Sequence, residues 1–167
     1  MPDYNDTAQV CIIGHIITDS VQSNSQINQK FCDICGSPLI TKCPHCKADL
    51  RGRRHIKDVM SMSGGRVVYL NKAEHFCYQC GKPYPWLESK LQVARELIND
   101  LEGISVEEKD VLTKSIDEII KETPKTEIAA IKFKKILSKC SKPILEAFRN
   151  ILIDIVSETT KKLIWPV

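Results

Sequence analysis

The spacing of hydrophobic and polar residues changes near residue 84. Before this point, short apolar runs are separated by glycine, proline and cysteine, which is typical of short strands joined by turns. After it, leucine and isoleucine recur every three or four residues among lysines and glutamates, which predicts helices. The prolines of "CGKPYPW" mark the junction. We therefore predict an α+β protein, with small β modules in residues 1–84 and an all-α bundle of about four helices in residues 85–167.

Two helices are predicted in the first part of the bundle. The apolar spacing indicates a helix over residues 86–101, and Gly103 ends it. The segment "SVEE" has the pattern of a capping box, in which Ser105 is the N-cap and Glu108 lies three residues further on. The second helix should therefore begin directly after Ser105.

Two further helices complete the predicted bundle. The segment "TPKTE" indicates the start of the third helix, with Thr123 as its N-cap and Pro124 at its first position. The apolar stripe of this helix includes Cys140, which we interpret as a small core residue. The fourth helix should run over residues 143–163. Its apolar positions are Ile144, Leu145, Ala147, Phe148, Ile151, Leu152, Ile155 and Val156.

These eight positions cover more of the helix circumference than a helix packed on one side needs. Either the fourth helix is covered within the chain, with the β half folded back onto it, or a partner covers it. The chain also ends on the apolar segment "LIWPV". Both features favour a protein–protein interaction, and a two-fold homodimer through the last helix is one form of it.

Eight cysteines dominate the chemistry of the chain, and seven of them precede residue 81. Six of these form three Cys-x-x-Cys pairs, and a Cys-x-x-x-His pair precedes them. Tight turns of this kind aim two ligands at one metal ion, and eight ligands fill two tetrahedral zinc sites with none left over. The predicted metal ligands are Cys11, His15, Cys32, Cys35, Cys43, Cys46, Cys77 and Cys80.

Two arrangements of these ligands are compatible with their spacing. We favour a serial arrangement, with the first four ligands in one site and the last four in the other, because each site then closes a loop long enough for a hairpin. An interleaved cross-brace is the alternative. His15 completes the three-cysteine site, whereas His75 would be redundant. Because a catalytic zinc keeps an open position for water, two sites with four protein ligands each predict rubredoxin-like zinc ribbons with two structural zinc ions.

The cysteines also bear on the location of the protein. The segment "MPDYNDTAQV" lacks the basic and apolar parts of a signal peptide, and no apolar run is long enough to span a membrane. We therefore expect a cytoplasmic protein without a membrane partner, whose paired cysteines bind metal in a reducing compartment. An exported disulfide scaffold is the alternative, but Cys-x-x-Cys spacing suits zinc better than structural disulfides.

The excess of basic residues is confined to the first half. Residues 1–84 hold ten Lys and Arg against seven Asp and Glu, and residues 85–167 hold fourteen of each. Metal-bound thiolates would reduce the excess to about zero, so the chain has no global basic field for nucleic acid. A local cluster could contact phosphates, although a solvated hairpin is the simpler interpretation. It consists of Arg51, Arg53, Arg54 and Lys57 in "LRGRRHIKD".

Several segments together resemble an uncharacterised bacterial family, known as a domain of unknown function, with paired amino-terminal zinc ribbons and a helical carboxy-terminal region. They are "AQVCIIGHIITDS", "FCDICGSPLITKCPHC", the "RG" at Arg51 and Gly52, and "CYQCGKPYPW". The "TP" helix start and the "DIVSETTKK" ending also fit, so the resemblance extends over most of the chain. It implies zinc binding and a bacterial cytoplasmic setting, and it provides no enzymatic activity to carry over to this chain. The segment "RGRRHIKD" is more charged than the usual family sequence, so we extend no role of its arginines to relatives.

No catalytic pattern accompanies these motifs: the sequence has no glycine-rich phosphate loop, no His-Glu-x-x-His and no supported Ser-His-Asp set. We therefore predict a non-enzymatic zinc-binding adaptor or regulatory protein that binds another protein or itself. The first alternative is a nucleic-acid-binding zinc ribbon that uses the segment from Arg51 to Lys57. The second is a redox enzyme with a Cys-x-x-Cys dithiol, although a working dithiol cannot also be a closed ligand pair.

Overall fold

The computed structural model describes residues 3–57 and 65–165, and it divides the chain into two compact units, Met1–Glu88 and Ser89–Val167. The described part of the first unit contains short antiparallel strands, and that of the second contains helices. The predicted α+β class, with small β modules followed by a helical region, is confirmed.

Short strands form two three-stranded antiparallel sheets in the first unit. The strands are β1 (Tyr4–Thr7), β2 (Gln9–Cys11), β3 (Ile16–Thr18), β4 (Leu39–Ile40), β5 (Arg51–Ile56) and β6 (Arg66–Val68). The sheets have the orders β1–β5–β6 and β3–β2–β4. A 3₁₀ turn at Ser25–Ile27 lies between β3 and β4. The basic segment forms β5, the middle strand of its sheet, and its hairpin partner is β6.

The first unit has a small apolar core in which aromatic residues are prominent. Val10, Leu50 and Tyr84 are almost completely buried. The ring of Tyr84 stacks on that of Trp86, with 4.7 Å between the ring centroids. The indole N–H of Trp86 donates to the backbone oxygen of Glu74 at 2.9 Å, so the buried ring keeps its hydrogen bond. A core of this size needs further support, which metal sites supply in small modules.

Gly52 allows two backbone segments of the first unit to approach closely. The amide of Arg53 donates to the backbone oxygen of Asp19 at 2.8 Å. A Cβ atom at position 52 would lie 2.2 Å from that same oxygen, which no side chain tolerates. The glycine is therefore required here by space and not by its φ angle.

Helices make up the second unit, and the first of them begins in the first unit. They are α1 (Pro85–Asn99), α2 (Val106–Ile119), α3 (Thr126–Leu137), α4 (Lys142–Leu152) and α5 (Glu158–Ile164). None of the helices in the described residues is long and apolar enough to cross a membrane. The capping box of α2 is present, since the Ser105 hydroxyl accepts from the Glu108 amide and the Glu108 carboxylate accepts from the Ser105 amide.

The start of α3 lies two residues later than predicted. Its N-cap is Lys125, and Thr123 belongs to the preceding turn. The Thr123 hydroxyl donates to a Glu118 carboxylate oxygen at 2.7 Å, and its backbone oxygen accepts from the Thr126 amide at 2.9 Å. The threonine thus closes a turn between α2 and α3, and the expected cap with Pro124 at the first helical position is wrong.

The predicted fourth helix is two helices. α4 ends at Leu152, and Ser157 caps α5 by accepting from the Thr160 amide at 3.3 Å. Ile155 and Val156 lie in the intervening turn and are buried, so apolar spacing continues through a break in the helix. The prediction of one long helix with a wide apolar face is therefore wrong, because its eight apolar positions are divided between α4 and the turn that follows it.

The remaining apolar residues near the end of the chain are partly covered. Within α4, Phe148 is fully buried, while Ile144, Ala147 and Ile151 are half-buried. Of the terminal "LIWPV" segment, Trp165 is half-buried, and the last two residues lie outside the described residues. Cys140 is also half-buried and lies just after α3, so it contributes to the core only in part.

Candidate metal centres

The first cluster joins the β2–β3 turn to the turn that precedes β4. The structure brings together Cys11, His15, Cys32 and Cys35, whose ligand atoms all lie within 4.8 Å of one another. The Cys11 Sγ atom lies 3.8 Å from Cys35 Sγ and 3.5 Å from His15 Nδ1. A tetrahedral zinc ion has bonds of about 2.3 Å to sulfur and about 2.1 Å to nitrogen, which gives edges of about 3.8 Å and 3.6 Å. The cluster therefore has the dimensions of a tetrahedral metal site.

The second cluster joins the turn before β5 to the turn before α1. It consists of Cys43, Cys46, Cys77 and Cys80, again with all ligand atoms within 4.8 Å. The Cys43 and Cys80 sulfurs are 3.9 Å apart, and those of Cys46 and Cys77 are 3.6 Å apart. The structure thus has the serial grouping of the eight candidate ligands. His75 belongs to neither cluster among the described residues.

The three Cys-x-x-Cys turns share one backbone geometry. In each turn, the residue after the second cysteine donates its amide to the carbonyl of the first cysteine, at 2.8 to 3.0 Å. That residue has a positive φ: 69° at Gly36, 65° at Lys47 and 70° at Gly81. The sequence marked two of these positions by glycine, whereas Lys47 gave no such signal.

A β-bridge closes each of the three turns in the same register. It joins the residue before the first cysteine to the third residue after the second cysteine. Phe31 pairs with Pro38 in this way, whereas Lys42 pairs with Asp49 through an additional side-chain ion pair of 2.5 Å. The third bridge joins Phe76 and Pro83. The turns are therefore three copies of one local structure, which holds both thiols of each pair on the same side.

The Cys-x-x-x-His turn uses a different geometry to reach the same result. The Cys11 amide donates to the His15 carbonyl at 2.9 Å, and the His15 amide donates to the Cys11 sulfur at 3.2 Å. Gly14 has a φ of 106°, and a Cβ there would lie 3.1 Å from the Cβ of Trp86. Both conformation and space thus require glycine at position 14, and the turn presents Nδ1 of the histidine to the cluster.

The thiols of the second cluster shift one another's pKa values in opposite directions. The Ala48 amide lowers the pKa of Cys46, but burial and the neighbouring thiols outweigh it and raise that pKa to about 12. Burial raises the pKa of Cys77, but the amides of Cys80 and Gln79 and the Cys46 thiol lower it to about 6. Negative thiolates packed this closely therefore repel one another unless a cation lies between them. A bound metal ion would supply that cation.

The hydroxyl of Tyr84 supports the same conclusion. Tyr84 is 1% exposed, and its hydroxyl is buried without a partner that meets hydrogen-bond geometry in the described residues. Burial, and then its interaction with the Cys77 thiol, raise the pKa of Tyr84 far above its usual value. Because buried hydroxyls require partners, a metal-bound Cys77 thiolate would satisfy this donor. The residues present therefore fit a metal ion in the second cluster.

The match to a family model decides the relationship of the chain to known proteins. The model of a family described as "Uncharacterized protein conserved in bacteria (DUF2321)" matches residues 4–164. The chain belongs to this family. The resemblance to an uncharacterised bacterial family is thereby confirmed. No curated protein and no solved structure matches the chain.

In this DUF2321 chain, the arginines of the basic segment are paired with acidic side chains. Arg51 Nη2 lies 2.6 Å from a Glu74 carboxylate oxygen, and Arg54 Nη2 lies 3.2 Å from Asp3 Oδ2. The guanidinium of Arg51 also lies over the ring of Tyr78, 4.7 Å from its centroid. These contacts neutralise the two exposed arginines within the fold.

Arg53 has the most buried pairing of the segment. Its Nε and Nη2 atoms donate to Asp19 Oδ1 at 2.9 and 2.6 Å, and Nη2 also donates to the Ser20 hydroxyl. The other Asp19 oxygen accepts from the Leu70 amide at 3.1 Å. Lys57, the fourth candidate, is exposed, and its amide donates to Asp3. The structure thus gives the three arginine side chains internal partners, whereas among the described residues only the backbone amide of Lys57 has one. Tyr84 is the site residue that the sequence did not mark as functional.

Proposed function

We propose that the two clusters bind one zinc ion each and that these ions stabilise a non-enzymatic scaffold. The observation that supports this function is the completeness of both ligand sets, with three thiols and one imidazole in one cluster and four thiols in the other. Soft thiolate ligands in tetrahedral geometry favour zinc among the common divalent ions. Four protein ligands leave no open position for a water molecule, so the zinc would have no catalytic role.

Elemental analysis of protein purified without added metal tests the metal content. We expect two zinc ions per chain, and X-ray absorption at the zinc edge should give mainly sulfur ligands at about 2.3 Å. One zinc ion per chain, or iron near stoichiometry, would contradict the assignment.

Thiol counting separates the scaffold from a dithiol enzyme. With both clusters closed, a thiol reagent should modify only Cys140 in the native protein, and all eight cysteines after chelation and unfolding. The exposed second cysteines of the three Cys-x-x-Cys turns make this a strict test, because they are accessible whenever the metal is absent. Rapid reaction of a Cys-x-x-Cys pair in zinc-loaded protein would favour the redox alternative.

The scaffold would act as an adaptor that binds another protein or a second copy of this chain. The turns of the first cluster present apolar side chains to solvent: Ile13, Phe31 and Ile34 are 46%, 61% and 67% exposed. Their backbone is held by the turns that carry the ligands, so these side chains cannot withdraw into a core. Large apolar side chains that stay exposed in a fixed backbone frame are typical of protein interaction sites.

Photo-crosslinking in the native cell tests the adaptor role. A crosslinking amino acid at Ile34 would sample the apolar turn of the first cluster, and one at Gln79 is the matched control, since it occupies the same position in the third Cys-x-x-Cys turn. We expect a discrete protein adduct from position 34 only. An adduct of twice the chain mass would identify a homodimer, and equal labelling from both positions would contradict a specific interface.

The α4 helix is the second proposed contact for a homodimer. Its half-buried residues Ile144, Ala147 and Ile151 share one side of α4. The helix break at Leu152 shortens this surface to a single helix of 11 residues. Crosslinking from Ile151 in place of Ile34 would distinguish the two surfaces.

A further inference from the structure

Positive charge in the second unit is concentrated in one segment. Residues 121–142 hold seven lysines and two glutamates. The other residues of Ser89–Val167 hold seven Lys and Arg against eleven Asp and Glu. The neutral total of the helical half therefore conceals a basic region, and α3 lies at its centre.

One side of α3 combines this charge with exposed apolar side chains. Ile128 and Ile131 are 58% and 56% exposed, although isoleucine is among the residues most often buried. Helical spacing places Lys132 and Lys135, which follow the two isoleucines by four residues each, on the same side. Lys125 precedes Ile128 by three residues. We call these five residues the basic face. The opposite side of α3 holds the buried residues Ala129, Ala130, Phe133, Ile136 and Leu137.

Within the described residues, six of the seven lysines of the segment lack the ion pairing that neutralises the arginines of β5. In the part of the chain that the structure describes, Lys139 is the lysine of this segment that forms an ion pair, with Glu108 at 2.5 Å. The other six, including all three of the basic face, have no acidic partner there. Their charge is therefore available to an external anion.

We propose that the basic face binds the surface of an anionic phospholipid membrane. Basic residues near an anionic membrane surface attract its headgroups at about 1 kcal/mol per residue, and the three lysines of the face lie in a segment that holds seven. The cluster contains lysine and no arginine, and lysine is depleted from protein–protein interfaces, where the planar guanidinium is preferred. The two isoleucines lie where they would enter the boundary between headgroups and acyl chains, a role that a nucleic acid would not give them.

This contact is peripheral and departs from the expectation that the chain has no membrane partner. It needs no spanning segment, because the apolar side of α3 stays in the helical core and only two apolar side chains enter the lipid. The proposal goes beyond the adaptor function, since it assigns to the second unit a surface that the metal-binding unit does not contain. An adaptor with this face would hold its partner at the membrane surface.

Sedimentation of zinc-loaded full-length protein with vesicles tests the proposal. The vesicles contain phosphatidylcholine with about 30% phosphatidylglycerol, and pure phosphatidylcholine vesicles are the reference. We expect binding to the anionic vesicles that is lost at about 0.5 M NaCl, where the Debye length is only a few ångströms. The triple variant K125Q, K132Q and K135Q should bind about tenfold or more weakly.

A matched variant separates the basic face from total charge. The triple variant K30Q, K72Q and K82Q removes the same charge from exposed lysines of the first unit and should bind like the wild type. The double variant I128Q and I131Q should weaken vesicle binding without weakening binding to soluble polyglutamate. Equal loss in both triple variants, full vesicle binding by the isoleucine variant, or no salt-sensitive vesicle binding at all would overturn the proposal.

Discussion

Lys47 occupies the same position and conformation in the second Cys-x-x-Cys turn as Gly36 in the first, with φ angles of 65° and 69°. Glycine adopts this conformation freely, whereas an L side chain at positive φ is strained by about 1–2 kcal/mol. The Lys47 amide still donates to the Cys43 carbonyl at 3.0 Å, so the turn is formed in spite of the strain. The second turn therefore holds its two metal ligands in a conformation that its sequence does not favour.

Replacing Lys47 by glycine should stabilise the first unit by about 0.5–1 kcal/mol, because the relief of strain exceeds the added entropy of the unfolded chain. Urea unfolding at fixed zinc concentration, followed through the fluorescence of Trp86 in a Trp165→Phe background, measures the change. Lys47→Ala is the control, since it keeps the strain and removes only the exposed bond from Lys47 Nζ to the Pro44 carbonyl. An equal gain for the alanine variant would mean that the lysine side chain, and not its backbone conformation, is unfavourable.

Gly52→Ala should destabilise the first unit by about 3 kcal/mol or more, because the added methyl group would overlap the Asp19 backbone oxygen at 2.2 Å. Gly36→Ala is the contrasting variant. It has open space around its Cβ position, so only its positive φ opposes the change, at about 1 kcal/mol. Thermal unfolding of both zinc-loaded variants compares the two effects. A larger loss at position 36 than at position 52 would contradict this explanation.

The ligand groups could be predicted from sequence because their chemistry is local. Each Cys-x-x-Cys turn places its two sulfurs together through backbone bonds within a few residues, so spacing alone identifies the pairs. Which pairs meet depends on distant strands, and for this reason the sequence left a cross-brace open. Loop length favoured the serial grouping, in which β2 and β4 bring the first four ligands together.

The helix boundaries show where sequence patterns are insufficient. Ser105 and Glu108 cap each other across three residues, and that capping box was predicted correctly. The Thr123 hydroxyl does accept from the Lys125 amide, but it also donates to the Glu118 carboxylate, and the Thr123 carbonyl closes the turn between the two helices. The helix therefore begins only after Lys125. The break before Ser157 was missed because Ile155 and Val156 continue the apolar spacing through a turn that tertiary packing buries.

Tyr84→Phe tests whether the tyrosine hydroxyl donates to the Cys77 thiolate. We expect the variant to bind zinc about tenfold more weakly, since an outer hydrogen bond of this kind orients its ligand and tunes the charge of that ligand. Competition with a chromophoric chelator measures the affinity, and cobalt substitution should shift the sulfur-to-metal charge-transfer band. Tyr78→Phe, at an exposed tyrosine of the same turn, is the control. An unchanged or higher affinity would show that the hydroxyl is simply an unpaired buried group.

Removal of metal should unfold the first unit and leave most of the helical signal. The proposed metal ions would tie together the loops of the first unit, whereas α2 has its own capping box and a fully buried stripe that includes Leu112 and Ile116. Far-ultraviolet circular dichroism with and without a strong chelator measures the helix content, and Trp86 fluorescence follows the first unit. Complete loss of helix would show that residues 89–165 have no independent core.

Arg53 and Arg54 are neighbours on β5, and their different partners separate a structural role from a binding role. Among the described residues, Arg53→Ala would leave the largely buried Asp19 carboxylate with only the Leu70 amide, so we expect a loss of about 2–3 kcal/mol in the free energy of unfolding. Arg54→Ala removes an exposed ion pair with Asp3 and should cost less than about 1 kcal/mol. Urea unfolding of the two variants under the same conditions measures this difference.

If the segment contacted phosphates instead, each substitution would weaken binding to a mixed DNA pool and reduce its salt dependence by about one ion. Arg54, the more exposed side chain, would then have the larger effect. We expect neither substitution to weaken binding of the protein to that pool, because both charges are already paired within the fold.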